Sequence, residues 1–355
     1  MKILETSIQI QGIKIRLTTN YQAYYDYFRL HFNKALMAFG PDKPKIEISA
    51  EWKMDLWGKH SPRLEKNDLL HAIGANTLIG EGRISAIRKV GKKRKLWLDY
   101  TLEKDRLILK AASHRKIIKD NMRYALLRQP QEPIFFELTY PLVYYPLFWY
   151  LETLKNTHIL HASAVKMKNK CVFICGLDGI GKTTLALSLS KEPGCALFSD
   201  NLIFYDKDYV SPCYEPIRIH KADEKSLWEG RFRRINAFRT LKDFYEPLSF
   251  DPRLKERPDI AIIPFFGSGF STRKIENAEF AQKALNINQL TAELGNYNEY
   301  ACLLNLLVPQ YDIWQERAKA LQSLLGQARC FEITMRKEDG VERNMQRVRE
   351  FILQN

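Results

Sequence analysis

No Cys-x-x-Cys pair occurs in this chain: its six cysteines stand at positions 171, 175, 195, 213, 302 and 330. That spacing excludes the common zinc and dithiol signatures and leaves reduced core thiols as the expectation. Cys171 and Cys175 fall four apart on one apolar strand and share a face, which by itself makes no metal site. Also missing is any apolar run long enough to cross a bilayer. The nearest, Tyr140 to Leu151, is strongly aromatic but holds two prolines and is closed off by Glu137 and Glu152. The opening Met1-Lys2-Ile3-Leu4-Glu5 shows no signal-peptide apolar block, and neither repeats nor low-complexity tracts are visible. A cytosolic location without a transmembrane segment is the expectation. Acidic residues are outnumbered, 41 against 55 Lys and Arg, for a net charge of +14. Anionic partners are favoured, nucleotides first. Nucleic acid is not expected, because no helix-turn-helix, aromatic RNA-binding signature or zinc spacing accompanies the charge.

What is present is a 355-residue chain with 45% hydrophobic residues, enough for two cored domains. Residues 1–132 read as a small α+β domain. Ile8 and Ile10, then Ile13, Ile15 and Leu17, alternate on either side of Gly12 as in a hairpin with one buried face. Asn20 suits the cap of a helix carrying Tyr21, Tyr24, Tyr25, Phe28 and Phe32. Leu96–Tyr100 and Leu107–Leu109 suggest a second hairpin or part of a meander, Lys116–Arg128 a helix, and Gln129–Pro133 a boundary. Residues 133–355 intermix strands and helices and read as α/β. There Ile159–Val165 and Cys171–Cys175 form a hairpin, Cys195–Ser199 a short strand, Leu202–Tyr205 and Tyr209–Val210 another hairpin, and Ile260–Ile263 a buried strand. Helices are expected at Tyr300–Leu307 and Ile313–Leu325, then a strand at Phe331–Met335 and a terminal helix from about Val341.

The strongest signal is Gly176-Leu177-Asp178-Gly179-Ile180-Gly181-Lys182-Thr183, which fits G-x-x-x-x-G-K-[ST] between an apolar strand and the run Thr184–Leu189. A strand ends, the loop curls, and a helix starts with free N–H groups and a positive dipole end aimed at phosphate oxygens. Glycines let the backbone come close and take positive φ. Lys182 would reach the β- and γ-phosphates of ATP, and the Thr183 hydroxyl would complete a Mg²⁺ shell.

Two further residues bear on reaction type. Asp200 ends the strand after the loop helix, on the ligand-binding edge of an open α/β sheet. It could hold Mg²⁺ or accept a proton from an attacking hydroxyl, or merely cap a turn with Asn201. His161, followed by Ala162-Ser163-Ala164, could contact a transferred phosphoryl group, or be a half-buried strand histidine satisfied by backbone.

Together Leu160–Val165, Gly176–Thr184 and Phe198–Asn201 resemble the catalytic core of the HPr serine kinase/phosphorylase family and its HPr-kinase-like relatives. The resemblance covers residues 157 to 220. It implies a P-loop kinase domain of the HPr-kinase/phosphoenolpyruvate-carboxykinase-like type behind the smaller N-terminal α+β domain. It also implies His161 as the family histidine, Lys182 and Thr183 as phosphate and Mg²⁺ ligands, and Asp200 as the carboxylate acting on the acceptor. Homo-oligomers are common in that family. Where the family has an Asp-Asp pair this chain has Asp200-Asn201, whose amide oxygen is a weaker Mg²⁺ ligand. The family's Arg-Gly-x-Gly signature is missing, with only a vague echo at Trp228–Arg234, which speaks against HPr itself as substrate.

The reading is therefore an ATP- and Mg²⁺-dependent phosphotransferase acting on serine or threonine of a peptide or protein, with a small-molecule alcohol as the other acceptor. The alternative is a nucleotide-binding regulatory module, which Asn201 would suit. A motion-coupled ATPase is disfavoured because Asp259 precedes its apolar strand, at the wrong end for a metal ligand. Basic clusters at Arg88–Lys95 and Arg115–Lys119 read as solvated hairpin tips or a surface for acidic partners. Arg231, Arg233, Arg234 and Arg239 could form a phosphate-facing or merely exposed loop, and Arg218 could face phosphate or solvent.

Overall fold

The computed structural model describes residues 2–38, 43–55, 64, 69–90, 94–116, 132–220, 232–236, 242–247, 251 and 253–355. Two compact units emerge: the chain up to Tyr150 joined by Ala301–Gln310, and a second made of Leu151–Ala237, Leu241–Tyr300 and Tyr311–Asn355. The units divide after Tyr150, not at the 132/133 boundary expected from sequence, so most of the aromatic segment belongs with the first.

In the first unit nine strands, β1 (Leu4–Ile10), β2 (Ile13–Thr19), β3 (Leu36–Met37), β4 (Ile46–Asp55), β5 (His71–Gly74), β6 (Thr77–Gly80), β7 (Arg83–Val90), β8 (Arg94–Glu103) and β9 (Arg106–Lys116), form one sheet in the order β3-β1-β2-β4-β9-β8-β7-β6-β5. The β1/β2 hairpin turns on Gln11 and Gly12, both at positive φ (49° and 75°), the two-residue geometry whose twist matches the strands. Helix α1 (Gln22–His31) packs Tyr24 against Trp52 and Phe135, with ring centroids 5.4 and 5.6 Å away. Asn20 does not cap it. Its Oδ1 accepts from the Trp52 amide at 2.8 Å, tying the helix entry to β4, and Tyr21 occupies the cap position without a side-chain bond. The aromatic segment is helical: α2 (Glu132–Thr139) continues through a π turn at Tyr140–Tyr144 into α3 (Tyr145–Lys155). Pro141 has no N–H to donate, which disrupts the α ladder where the wider turn sets in. Lys116 ends β9, and the rest of the helix expected at Lys116–Arg128 and most of the Gln129–Pro133 signal lie outside the described residues. No described helix is long and apolar enough to cross a membrane.

The second unit holds β10 (His158–Leu160), β11 (Ala162–Met167), β12 (Lys170–Cys175), β13 (Cys195–Ser199), β14 (Ile203–Tyr205), β15 (Val210–Pro212), β16 (Ile217–His220), β17 (Phe232–Asn236), β18 (Lys242–Pro247), β19 (Ile260–Phe266), β20 (Ser271–Ile275) and β21 (Arg329–Met335). Its main sheet runs β13-β11-β12-β19-β21-β20, with small sheets β10-β14-β15 and β16-β18-β17 beside it. β12, β19 and β21 are parallel. β13 points the same way because it and β12 are both antiparallel to β11. The carboxyl ends of these four strands therefore share one edge.

Helices cover both faces of this sheet. On one face α4 (Lys182–Ser190) and α8 (Gly340–Gln354) bring Leu185, Leu189, Val348 and Ile352 onto Val172, Ile174, Ile260 and Ile262. On the other, α5 (Asn277–Gln289) and α7 (Ile313–Leu324) set Phe280, Ala284, Leu321 and Leu324 against Cys171, Phe173, Cys175 and Ile263. Alternate residues of β12 thus serve opposite cores, the period of two that a strand covered on both faces requires. A further helix, α6 (Ala292–Asn305), replaces the shorter one expected from Tyr300. Asp259 sits at the amino-terminal edge, where its carboxylate accepts from the Cys171 amide at 2.7 Å and aligns β12 with β19. The architecture is mixed α/β with several sheets.

Candidate functional site

The loop after β12 has the backbone its glycines permit. Gly179 and Gly181 lie at φ 78° and 94°, in the left-handed region that side chains avoid. Gly176 is required for a different reason: a Cβ there would stand 2.9 Å from Ile180 Cγ2. Leu177, Asp178 and Ile180 fill the remaining loop positions. Gly181 is the cap residue of α4, so that helix's first N–H groups, which have no partner within a helix, open toward the loop. Gly181→Ala forces a Cβ onto a left-handed residue and should cost about 1–2 kcal/mol. An unchanged denaturant midpoint in that variant would show that the left-handed turn is not what holds the loop.

Lys182 is buried at 6% exposure, and its ammonium donates to the carbonyls of Gly176 at 2.8 Å and Leu177 at 3.0 Å. The cation is folded over the loop from within. Thr184 follows, half-buried, in the first turn of α4.

Asp200 lies just past β13, at the same sheet edge as the loop, and is 6% exposed. Its carboxylate does not cap the Asp200-Asn201 turn. Ser163 Oγ donates to Oδ1 at 2.6 Å, and Thr183 Oγ1 donates to Oδ1 and Oδ2 at 3.1 and 3.0 Å. The turn is held instead by the Ser199 hydroxyl, which donates to the Leu202 carbonyl at 2.7 Å, and by the Leu202 amide on the Asp200 carbonyl. Three oxygen-bearing side chains from β11, α4 and the end of β13 thereby meet. A hard divalent cation takes such donors, and the Asp200 and Thr183 oxygens fit one.

Asn201 is turned elsewhere. It sits at φ 69°, and its amide donates to Glu215 Oε2 at 2.7 Å rather than to Asp200 or Thr183. Glu215, 7% exposed, also lies 3.9 Å from an Arg218 nitrogen. Arg218 thus borders a buried carboxylate rather than standing as an isolated cation. Arg231 and Arg239 lie outside the described residues, as do Lys92 and Lys93.

His161 is not within a strand. The chain leaves β10 in one sheet and enters β11 in another, and His161 is the junction. Its amide donates to the Asn288 side-chain oxygen, and its ring Nε2, 3% exposed on the side chain, lies 3.3 Å from Asp178 Oδ1 in the loop. Asn288 also donates to the Ala284 carbonyl at 2.7 Å and to Cys175 Sγ at 3.6 Å. Burial pushes the Cys175 thiol up to about 12, with Lys182 and Asn288 pulling the other way, so it stays protonated at neutral pH.

No family model and no curated protein matches the chain. The site therefore rests on its own geometry. That geometry brings together Lys182, Thr183 and Asp200, adds His161 at the loop's flank through Asp178, and turns Asn201 to Glu215. Ser163, Asn288 and Glu215 went unrecognised as partners in the sequence. In the sequence Ser163 reads only as a small residue beside His161, and no local pattern marks residues whose partners lie 37, 127 and 14 positions away.

Proposed function

We propose that the chain is an ATP- and Mg²⁺-dependent phosphotransferase of the HPr-kinase-like type, built on a P-loop kinase domain and acting on a hydroxyl acceptor. The observation that carries this reading is the Asp200 carboxylate held by the Thr183 and Ser163 hydroxyls beside a glycine-rich loop whose lysine lies over it. A loop that binds phosphate needs only the first part of this. A carboxylate fixed at its mouth adds the group that can take a proton from a nucleophile.

In this mechanism α4 and the loop amides receive the triphosphate, and Lys182 exchanges its two carbonyl partners for phosphate oxygens. Asp200 accepts the acceptor's hydroxyl proton as its oxygen bonds to the γ-phosphorus. The bridging P–O bond breaks and ADP leaves with the electron pair. Thr183 and Asp200 would hold Mg²⁺, which neutralises charge on the phosphates when bound. His161, placed by Asn288 and facing Asp178, can donate a hydrogen bond to the transferring group.

The test is incubation with γ-labelled ATP and cell extract, followed by mass spectrometry of labelled species. Label on an acceptor with wild type and none with Lys182→Ala is the expected result. Tight ATP binding with no labelled species would instead support the regulatory module, the reading favoured by Asn201 standing where the resembled kinases carry an acid.

A further inference from the structure

On the α5/α7 side of the main sheet a cavity of about 190 Å³ opens between the carboxyl end of α5, the start of α6 and the start of α7. That is the room of roughly six water molecules at ~30 Å³ each. Its polar lining is almost wholly carboxamide: Gln282, Asn286, Asn288, Gln289 and Asn298, with Trp314 and Arg317. Leu160, the residue before His161, completes the inner wall.

Charge and hydrogen bonding narrow what fits. Among the described residues Arg317 is the only ionised group of the lining, and it is consumed: Nε and Nη2 donate to Glu152 at 2.7 and 2.8 Å, and Nη1 to Asn298 Oδ1 at 2.9 Å. Among the described lining residues an anion finds no uncommitted cation, and a cation no carboxylate. Several amides remain available. Among the described residues the Gln289 side chain takes no hydrogen bond, and Asn298 uses only its oxygen. Carboxamides present donor and acceptor side by side, the pair that vicinal hydroxyls satisfy. Trp314 adds an aromatic wall, 41% exposed and braced by the Arg317 guanidinium 4.6 Å from its ring centre. Aromatic faces cover the C–H side of a small polyol while amides take its hydroxyls.

One wall residue, Asn288, connects the cavity to the strand end that leads into the loop. Asn288, 6% exposed, is at once its wall, the acceptor for the His161 amide and the donor to Cys175, the last residue before Gly176. We infer that this cavity binds a small neutral polyol. Under the phosphotransferase reading, on which this role rests, the polyol is the acceptor: its hydroxyl oxygen bonds to the γ-phosphorus, its proton passes to Asp200 and ADP leaves. A cavity of this volume has no room for an extended peptide.

The test is titration calorimetry with glycerol, D-ribose, D-glucose and myo-inositol, and with glucose 6-phosphate and a serine-containing peptide as contrasts. At least one neutral polyol is expected to bind wild type and Lys182→Ala alike, and to weaken tenfold or more in Trp314→Ala and in Asn298→Leu. The same polyol should take label from γ-labelled ATP with wild type only. Absence of polyol binding, binding indifferent to both cavity variants, or tighter binding of the phosphate ester or the peptide would overturn the site. Binding that fails in the cavity variants but yields no labelled polyol keeps the site and overturns the acceptor role.

Discussion

Asp200→Asn should bind ATP within a few-fold of wild type and transfer its phosphoryl group about 10²–10⁴-fold more slowly, the usual range for removing a positioned general base. The substitution is nearly isosteric. Its oxygen can still accept from Ser163 or Thr183, and either hydroxyl can rotate to accept from the new amide hydrogen, so the junction of β11, α4 and the β13 end should survive. What is lost is basicity and a full negative charge. Lys182→Ala separates a different contribution, because Lys182 donates to the loop carbonyls and its expected effect is on nucleotide affinity. Single-turnover transfer measured at saturating ATP distinguishes the two. Unimpaired transfer by Asp200→Asn would remove Asp200 as base and leave it as the anchor for two hydroxyls.

The parts of this protein that were legible in the sequence are those whose physics is local. Gly176–Thr183 is readable because positive φ at Gly179 and Gly181 and a close approach at Gly176 demand glycine wherever the chain takes this turn. The β1/β2 hairpin is readable for the same reason at Gly12. Asn20 shows where local chemistry misleads: it suits a helix cap, but the Trp52 backbone 32 residues away competes for it and wins. His161 reads as mid-strand because Ile159, Leu160, Ala162, Ala164 and Val165 around it are apolar. The switch between sheets depends on Asn288, 127 residues later, which takes the amide that a strand neighbour would have taken. α5 is hard to read from the sequence because its buried face is Phe280, Ala281, Ala284 and Asn288, in which alanine and asparagine blur the helical stripe. The same helix lines the amide-rich cavity, so the missed element and the unforeseen site have one cause.

Glu152 carries the other large expected effect. It looks in sequence like a polar stop to an aromatic run, yet it is fully buried and bridges four elements of the second unit. Arg317 of α7 holds it through two parallel N–H donors, Tyr297 of α6 donates to Oε2, and His158 Nδ1 of β10 lies 3.4 Å from Oε1. Burial alone would raise its pKa, but Arg317 and His158 outweigh it and hold the carboxyl down at about 2. Glu152→Ala leaves a guanidinium only 6% exposed without its counter-charge, which should cost about 3–5 kcal/mol. The cause is the orphaned charge rather than a missing attraction, so the double variant Glu152→Leu, Arg317→Met should recover most of that loss. Denaturant unfolding of the single and double variants decides this, and a double variant no more stable than Glu152→Ala would refute it. The pH dependence has a definite sign. A carboxyl whose folded value lies below its unfolded value, near 4.3, contributes its full stability above that pH and loses it as pH falls toward 2. Wild type should therefore lose stability steeply over that interval, while the double variant, having no carboxyl there to protonate, should show a shallower decline.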